Sequence, residues 1–264
     1  ANPNFSYKKE YVSPVKTDVY SWQISDSLWL NPQFMKEIEQ DIATVSLKSK
    51  EYRYSDVGFV VLRLLAEKLS GMSIDDYLQI HYYEPMGLDR TGYLPLRRFD
   101  KADVVPSTID HFLRKSTLQG FVHDESAAFQ GGISGNAGLF STAREVALIY
   151  QMLLNKGELD GVRYLSPETC ELFTTLKSGI SRRGLGFDRA DTTDTGYNPC
   201  GSLAPDGVYG HTGFTGTCAW VDPTNGLVYV FLSNRTYPDA TVNKLNTLKI
   251  RERIQDAIYD AMIK

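Results

Sequence analysis

The clearest hydrophobic pattern in the chain follows Ser55. Apolar residues recur there at i, i+3, i+4, i+7 and i+8, which is the spacing of one helix face. They are Val57, Val60, Val61, Leu64 and Leu65. Gly71 comes after the last turn, where glycine readily takes the left-handed conformation that ends a helix. The pattern predicts a buried helix that ends at Gly71.

Helix-start signals predict further helices on both sides of this one. A short helix-like stretch runs from Asn31 to Ala43, and Ser73 is an N-cap residue for a helix that follows it. Thr142 and Glu145 have the spacing of a capping box, in which both side chains accept backbone N–H groups at a helix start. Ser166-Pro167 opens a shorter helix, since proline suits the first helical position.

The hydrophobic period changes beyond residue 182. Short runs rich in aromatic and β-branched residues predict strands, and the turn sequence 222–226 joins the last two as an antiparallel hairpin. The runs are Gly184 to Phe187, Tyr209 to Gly213, Thr217 to Val221 and Val228 to Ser233. An amphipathic helix is expected over Asn243 to Ile263. Its inward residues are predicted to be Ile250, Ile254, Ala257 and Ile258. The order of elements predicts an α+β fold, a helical lobe beside an antiparallel sheet.

Composition and charge exclude several classes of function. The formal charge is −4, and the 28 Lys and Arg residues are scattered, which argues against a nucleic-acid partner. The longest apolar runs are far short of the roughly 20 residues of a membrane span. The histidines have no metal-ligand spacing, so neither a metal nor a cofactor is expected. The three cysteines lack CxxC spacing and leave one disulfide pairing open; they are Cys170, Cys200 and Cys218.

Three short motifs carry the candidate chemistry. Tyr54-Ser55-Asp56 opens the first strong helix, and His211-Thr212-Gly213 lies on a predicted strand. Between them, the Gly-rich segment from Gln130 to Gly138 leads into the Thr142-capped helix. Their order and separation resemble the superfamily of serine β-lactamases, D-alanyl-D-alanine peptidases and esterases, especially its class C-like branch. The resemblance extends from about Tyr52 to the end of the chain, and it implies a β-lactamase/transpeptidase-like fold.

The resemblance implies catalytic roles for Tyr54, Asp56 and His211. In the family, a tyrosine relays a proton between the nucleophile and the leaving group, because a nearby lysine lowers its pKa. Asp56 stands where the family usually has asparagine; a carboxylate cannot donate a hydrogen bond, so pairing with a lysine is expected instead. His211 replaces the family's lysine, so its positive charge should be lost above about pH 6.5.

The resemblance also implies that residues 212–214 bind substrate. Thr212 offers a hydroxyl, Gly213 allows close approach to the strand, and the backbone N–H of Phe214 supplies half of an oxyanion hole. The alternative is that Tyr54 is a helix-entry aromatic and His211 a surface strand residue. Ser134 lacks a nucleophile elbow and is expected to have a turn role. The neighbouring polar cluster His123-Asp124-Glu125 is expected to hold that loop.

The family's nucleophile, a Ser-x-x-Lys motif that opens an apolar helix, is the missing element. The string Ser6-Tyr7-Lys8-Lys9 lies in a polar segment before Pro14, too short for a stable helix. We therefore expect the true Ser and Lys to lie upstream, in a longer parent. Residues 1–264 are interpreted as one truncated domain. Its expected parts are a covering segment (1–50), a mainly helical lobe (51–180), and the sheet with the C-terminal helix (181–264).

The predicted function is amide or ester hydrolysis through an acyl-enzyme, performed by the longer parent. Without a nucleophile this chain alone should hydrolyse nothing at a useful rate. Family resemblance implies D-alanyl peptides, β-lactams or simple esters as substrates, export to the periplasm or cell envelope, and in some relatives an upstream glycosidase domain. The alternative is a non-catalytic binding module with the same fold. A truncated chain should also expose apolar surface that other elements cover.

Overall fold

The computed structural model describes residues 9–46, 51–175, 178–190 and 198–262. The described residues form two compact units, one within 1–85 and 91–140 and the other within 86–90 and 141–264. Each unit contains helices and antiparallel strands, so the predicted α+β class is confirmed.

The first unit begins with a three-stranded antiparallel sheet and a helix. β1 (Val12–Ser13), β2 (Trp22–Ser25) and β3 (Leu28–Leu30) have the order β1-β3-β2, and α1 (Phe34–Thr44) confirms the helix predicted near residues 31–43. Residues 9–46 thus supply part of this unit's core. The buried cluster consists of Ile24, Leu30, Phe34, Ile38, Val122, Ala127, Ala128 and Phe129.

The rest of the first unit is built from short helices and one hairpin. Its elements are α2 (Val57–Ser70), α3 (Ile74–Leu78), the antiparallel pair β4 (Pro106–Asp110) and β5 (Ser116–Gln119), and α4 (Glu125–Ala128). A π-helical segment, Gln79–Tyr83, follows α3. Short 3₁₀ helices occur at Lys9–Tyr11, Pro95–Arg97 and Lys101–Asp103. The N-cap predicted at Ser73 is confirmed, since its hydroxyl accepts the Asp76 N–H at 3.1 Å.

α2 ends at Gly71 with φ 69°, as predicted, but its predicted buried face is confirmed only in part, since Val60 is buried and Val57 and Leu64 are half-buried. Val60 is 1% exposed, whereas Leu69 is 79% exposed, and Val61 and Leu65 are also exposed. The side of α2 that packs on the unit includes polar residues. Arg63 Nη1 donates to the carbonyl of Ile133 at 2.5 Å, and Glu67 Oε1 accepts the Ile74 N–H at 3.0 Å. An apolar period alone does not reveal which side of a helix its neighbours cover.

The second unit contains a four-stranded antiparallel sheet with helices. Before the sheet come α5 (Ala143–Leu154), the pair β6 (Glu158–Leu159) and β7 (Val162–Arg163), and α6 (Pro167–Thr175). The sheet consists of β8 (Asp188–Arg189), β9 (Tyr209–Thr212), β10 (Cys218–Asp222) and β11 (Leu227–Phe231), in the order β11-β10-β9-β8. α7 (Lys244–Thr247) and α8 (Ile250–Met262) follow. α5 packs on β10 and β11.

The strand predictions are confirmed for β9, β10 and β11, including the hairpin between the last two. The strand predicted at Gly184 to Phe187 is wrong. Those residues form a turn in which the Gly184 N–H donates to the Phe187 carbonyl at 3.1 Å, and Gly186 has φ 92°. The strand in this region, β8, begins only at Asp188, directly after the predicted run.

The predicted C-terminal helix is divided, because Lys249 has φ 49° between α7 and α8. Its predicted inward face is confirmed only in part: Ile258 packs on the core cluster and Ile250 is half-buried, but Ile254 and Ala257 are exposed. The fully buried residues are Arg251, Gln255 and Tyr259. These side chains make hydrogen bonds. The Tyr259 hydroxyl donates to Asp222 Oδ2 at 2.9 Å, and Gln255 Oε1 accepts the Gly201 N–H at 2.9 Å. Polar residues are buried where such partners exist, and periodicity cannot show the partners.

Candidate active site

The His-Thr-Gly motif lies at the end of β9, in the second unit. His211 and Thr212 are paired with Ala219 and Cys218 of β10. The chain then turns back within residues 213–217, which we call the β9–β10 turn. Two backbone hydrogen bonds close it: the Gly213 N–H donates to the Thr217 carbonyl at 2.7 Å, and the Gly216 N–H donates to the Gly213 carbonyl at 3.0 Å.

His211 is held in a neutral form by its two neighbours. Its Nε2 lies 2.6 Å from Nη1 of Arg183, and its Nδ1 lies 2.7 Å from the carbonyl oxygen of Thr212. A guanidinium only donates hydrogen bonds and a carbonyl only accepts them, so Nε2 must be unprotonated and Nδ1 must carry the proton. Burial lowers the pKa of His211; Arg183 also lowers it, while the Thr212 carbonyl and Asp188 oppose the shift.

The lowered pKa moves the loss of positive charge on His211, expected above about pH 6.5, to a lower pH. Its lowered pKa makes the imidazole neutral at neutral pH, and the positive charge beside it belongs to Arg183. Arginine keeps its charge at every pH at which proteins fold.

A buried carboxylate orients this arginine. The Asp188 side chain is only 1% exposed, and its Oδ2 lies 3.0 Å from Arg183 Nη2. Arg182 makes a second, bidentate pair with the same carboxylate, at 2.7 and 2.9 Å. Sequence reasoning missed these three residues, because they lie more than twenty positions before His211 and form no short motif.

The backbone of the β9–β10 turn directs the Phe214 N–H. In a trans peptide the C=O and the following N–H point in opposite directions. The Gly213 carbonyl faces into the turn, where it accepts the Gly216 N–H, so the Phe214 N–H points out of the turn. The Phe214 side chain is 66% exposed. This orientation is the one that a backbone oxyanion donor requires.

Tyr54 and Asp56 lie at the start of α2, in the first unit. Tyr54 is exposed, and Asp56 occupies the N-cap position with helical φ and ψ of −73° and −22°. Its carboxylate does not cap α2. Its carbonyl accepts the N–H groups of Phe59 and Val60 at 3.0 and 3.2 Å, so the motif is part of the first helical turn.

Comparison with known proteins identifies the family. A family model described as β-lactamase matches residues 14–252. The chain belongs to the β-lactamase family. A protein of Escherichia coli K12 with the provisional name D-alanyl-D-alanine carboxypeptidase is 37% identical in an alignment of 196 positions that covers 70% of this chain and 45% of that protein. The chain spans about half the length of the curated relatives it matches.

Solved structures show the same fold. A β-lactamase from Mycobacterium bovis has a TM-score of 0.53 and 21% identity, and covers 80% of this chain and 64% of its own. An octameric penicillin-binding-protein homologue from Pyrococcus abyssi has a TM-score of 0.54 and 19% identity. The match covers 84% of this chain and 48% of that protein's chain. The fold inferred from the motifs, that of the β-lactamases and penicillin-binding proteins, is therefore confirmed.

The Gly-rich loop of this β-lactamase-family chain packs directly on α2. Gly135 lies so close to the Phe59 carbonyl that a Cβ atom would overlap it. Ser134 is buried, and its hydroxyl lies 2.7 Å from Asn136 Oδ1 and 3.1 Å from Gln130 Oε1. These contacts agree with the turn role expected for Ser134 and leave its hydroxyl engaged inside the loop. Asp124 Oδ1 lies 3.4 Å from Asn136 Nδ2, as expected of a residue that holds this loop.

The nucleophile is not found among the described residues. Ser6 lies outside them. A second Ser-x-x-Lys string, Ser13-Pro14-Val15-Lys16, escaped sequence analysis. Ser13 ends strand β1, and its hydroxyl donates to the Val15 carbonyl at 2.8 Å. The family's motif opens a helix, where serine and lysine lie one turn apart on the same face. No helix includes this described segment, so Ser13 lacks that arrangement.

The described residues offer no metal centre. Among them, no three or more His, Cys, Asp and Glu side chains form a group that could hold a metal ion. Cys170, Cys200 and Cys218 are buried and free, and burial raises the pKa of the Cys218 thiol to about 11. In the ranges that the structure describes, no helix is long and apolar enough to span a membrane.

Proposed function

We propose that this chain supplies the tyrosine and His-Thr-Gly elements of a serine hydrolase that acts through an acyl-enzyme. Tyr54 relays a proton, and Asp56 pairs with the lysine beside the nucleophile. Thr212 and Gly213 line the bound substrate, and the Phe214 N–H donates to the developing oxyanion. The observation that carries the proposal is the end of β9, where His211 is held between Arg183 and the Thr212 carbonyl beside an outward-directed N–H.

The proposed substrates end in a free carboxylate. His211 is neutral, so it cannot provide the charge that would attract such a group. Arg183 provides a permanent charge at the same position, oriented by the buried Asp188. The Escherichia coli relative has the name of an enzyme for such substrates, a D-alanyl-D-alanine carboxypeptidase. We therefore favour peptides ending in D-alanine, with simple esters as secondary substrates.

The setting of the reaction belongs to the same proposal. Cell-wall peptides lie outside the inner membrane, so the site of action would be the periplasm or cell envelope. The nucleophile and its lysine would come from sequence outside these 264 residues, because Ser6 lies in a short polar segment before Pro14 and Ser13 ends a strand.

The test uses a longer form of the protein that carries a Ser-x-x-Lys helix. Hydrolysis of a peptide ending in D-Ala-D-Ala is compared with hydrolysis of p-nitrophenyl acetate, which has no carboxylate. A charge-assisted hydrogen bond contributes roughly 1.5–3 kcal/mol, so Arg183→Gln should reduce kcat/KM for the peptide by about 10- to 100-fold. The ester rate should change little.

Arg182→Gln is the matched control, because Arg182 binds the same Asp188 carboxylate without the contact to His211. A smaller loss on the peptide is expected for it. Equal losses on peptide and ester for Arg183→Gln would refute the carboxylate role. Failure of the longer form to acylate with any substrate would refute the hydrolase and favour a non-catalytic binding module.

A further inference from the structure

Arg235 lies beside the β9–β10 turn and binds it in several ways. Its Nε donates to the Phe214 carbonyl at 2.9 Å, and its backbone N–H donates to the Thr215 carbonyl at 3.0 Å. Its guanidinium carbon lies 4.6 Å from the centre of the Phe214 ring, a cation–π distance. One residue thus contacts the carbonyl and ring of Phe214 and the carbonyl of its neighbour.

The arginine is itself fixed by its own loop. Its Nη1 donates to the Ala240 carbonyl at 2.9 Å, so the planar guanidinium joins two backbone carbonyls that are distant in sequence. The Tyr237 N–H donates to the Asn234 carbonyl at 2.9 Å, which closes the loop that carries Arg235. A guanidinium held at two edges has little rotational freedom.

The packing of the turn against this side chain is close. Gly216 has φ 97°, a conformation that L residues rarely adopt. A Cβ atom there would lie 2.6 Å from Cγ of Arg235 and would also overlap the Ser233 hydroxyl. The Ser233 hydroxyl donates to the Thr215 carbonyl at 3.3 Å. The segment that follows β11 therefore forms the surface on which the β9–β10 turn packs.

We propose that Arg235 is a positioning residue: it fixes the peptide plane that follows Phe214, while the turn itself fixes the plane that precedes Phe214. The Gly213 carbonyl is fixed within the turn by the Gly216 N–H, and the Phe214 carbonyl is fixed by Arg235. With both planes fixed, the direction of the Phe214 N–H is set before any substrate binds. Preorganisation is what gives an oxyanion donor its value, since loss of one donor costs about 10²- to 10³-fold in kcat.

This inference rests on the proposed function only where it treats the Phe214 N–H as an oxyanion donor. The geometry of the β9–β10 turn does not depend on the proposed function. Geometry can be measured on this 264-residue chain without turnover. The measurement is ¹⁵N relaxation of the backbone amides, compared among the wild type, Arg235→Ala and Arg235→Lys. Arg253→Ala is the control, because Arg253 is an exposed arginine of α8.

The wild-type order parameters of Phe214 and Thr215 should be those of rigid backbone, about 0.85, and should fall below about 0.6 in Arg235→Ala. His211 and Ala219, in the neighbouring strands, should stay rigid. The order parameters in Arg235→Lys should lie between those of the wild type and Arg235→Ala. An ammonium is a single point donor that cannot join both carbonyls or stack on the ring. Millimolar methylguanidinium should restore rigidity in Arg235→Ala but leave Arg235→Lys unchanged.

Rigid Phe214 and Thr215 amides in Arg235→Ala would overturn the inference. So would an equal loss of order across β9, β10 and β11, which would show a general structural role. If Arg235→Ala does not fold, Arg235→Lys decides: a rigid turn in that variant would overturn the inference, and selective loss of order would support it. A hydrolase that fails to acylate would refute the proposed function and leave this result unaffected.

Discussion

Removing the carboxylate of Asp110 should be among the most destabilising single changes in the first unit. The Arg114 and Asp110 side chains are 1% and 5% exposed, and Arg114 Nε donates to Asp110 Oδ2 at 2.6 Å. The other two guanidinium nitrogens donate to the carbonyls of Val122 and His123, both at 2.7 Å. The pair thus ties the β4–β5 hairpin to the segment that precedes α4 and the Gly-rich loop.

The magnitude follows from what each substitution leaves behind. Asp110→Asn puts an NH₂ group opposite the two N–H donors that now face Oδ2, from the side chain and backbone of Arg114. It also leaves the guanidinium buried without a counter-charge, which costs about 3–5 kcal/mol. The double variant Asp110→Asn/Arg114→Met removes that charge and should recover about half of the loss.

The assay is urea unfolding followed by circular dichroism and tryptophan fluorescence. Glu158→Gln is the matched control, because it breaks a half-exposed pair with Arg163 whose N–O distance is 2.7 Å; its cost should stay below about 1 kcal/mol. An Asp110→Asn variant within about 1 kcal/mol of the wild type would refute the reasoning. So would a double variant less stable than Asp110→Asn.

The pH dependence gives the same prediction an independent check. Burial alone would raise the pKa of the Asp110 carboxyl, but hydrogen bonds from Arg114 and from the Phe112 N–H outweigh it, and the net pKa is lowered. A lowered folded-state pKa contributes stability that is complete above the unfolded value of about 3.9 and is lost as the pH falls through the folded one. Asp110→Asn should lack this acid-dependent loss.

Further predictions concern the site and the exposed face of α2. His211 should titrate below about pH 6.5 in imidazole NMR, and stability should fall as the pH drops below that value, because the unfolded chain binds the proton first. Arg183→Gln should raise the His211 pKa, and no change would contradict the pairing. Leu69→Gln should alter the free energy of unfolding by less than about 0.5 kcal/mol and reduce hydrophobic-dye binding, whereas Val60→Ala should cost about 1–3 kcal/mol. Gly216→Ala should cost about 1–3 kcal/mol through its positive φ, and a neutral result in thermal unfolding would contradict the close packing.

Local signals predicted the elements whose formation depends on local chemistry. α2 ends at Gly71, and α5 begins with the Thr142 hydroxyl accepting the Glu145 N–H at 3.3 Å, as their caps indicated. The β10–β11 hairpin follows from two β-rich runs on either side of a turn sequence. These features need no knowledge of the rest of the chain.

Features that depend on distant partners could not be predicted. The Arg63 side chain is only 9% exposed, and the carbonyl that accepts its hydrogen bond belongs to Ile133, 70 residues away. The His-Thr-Gly motif located His211, yet its neutral form depends on Arg183, 28 residues earlier, and on a carboxylate in β8. A motif indicates which residues take part, whereas their protonation depends on neighbours that only the fold brings together.

The most direct test is intact-mass spectrometry of this 264-residue chain after incubation with a β-lactam and, separately, with a p-nitrophenyl ester. We expect an unchanged mass with both reagents, because no Ser-x-x-Lys string opens a helix among the described residues. A stoichiometric acyl adduct would contradict this. The adduct would then be traced with Ser6→Ala and Ser13→Ala, the serines of the two Ser-x-x-Lys strings.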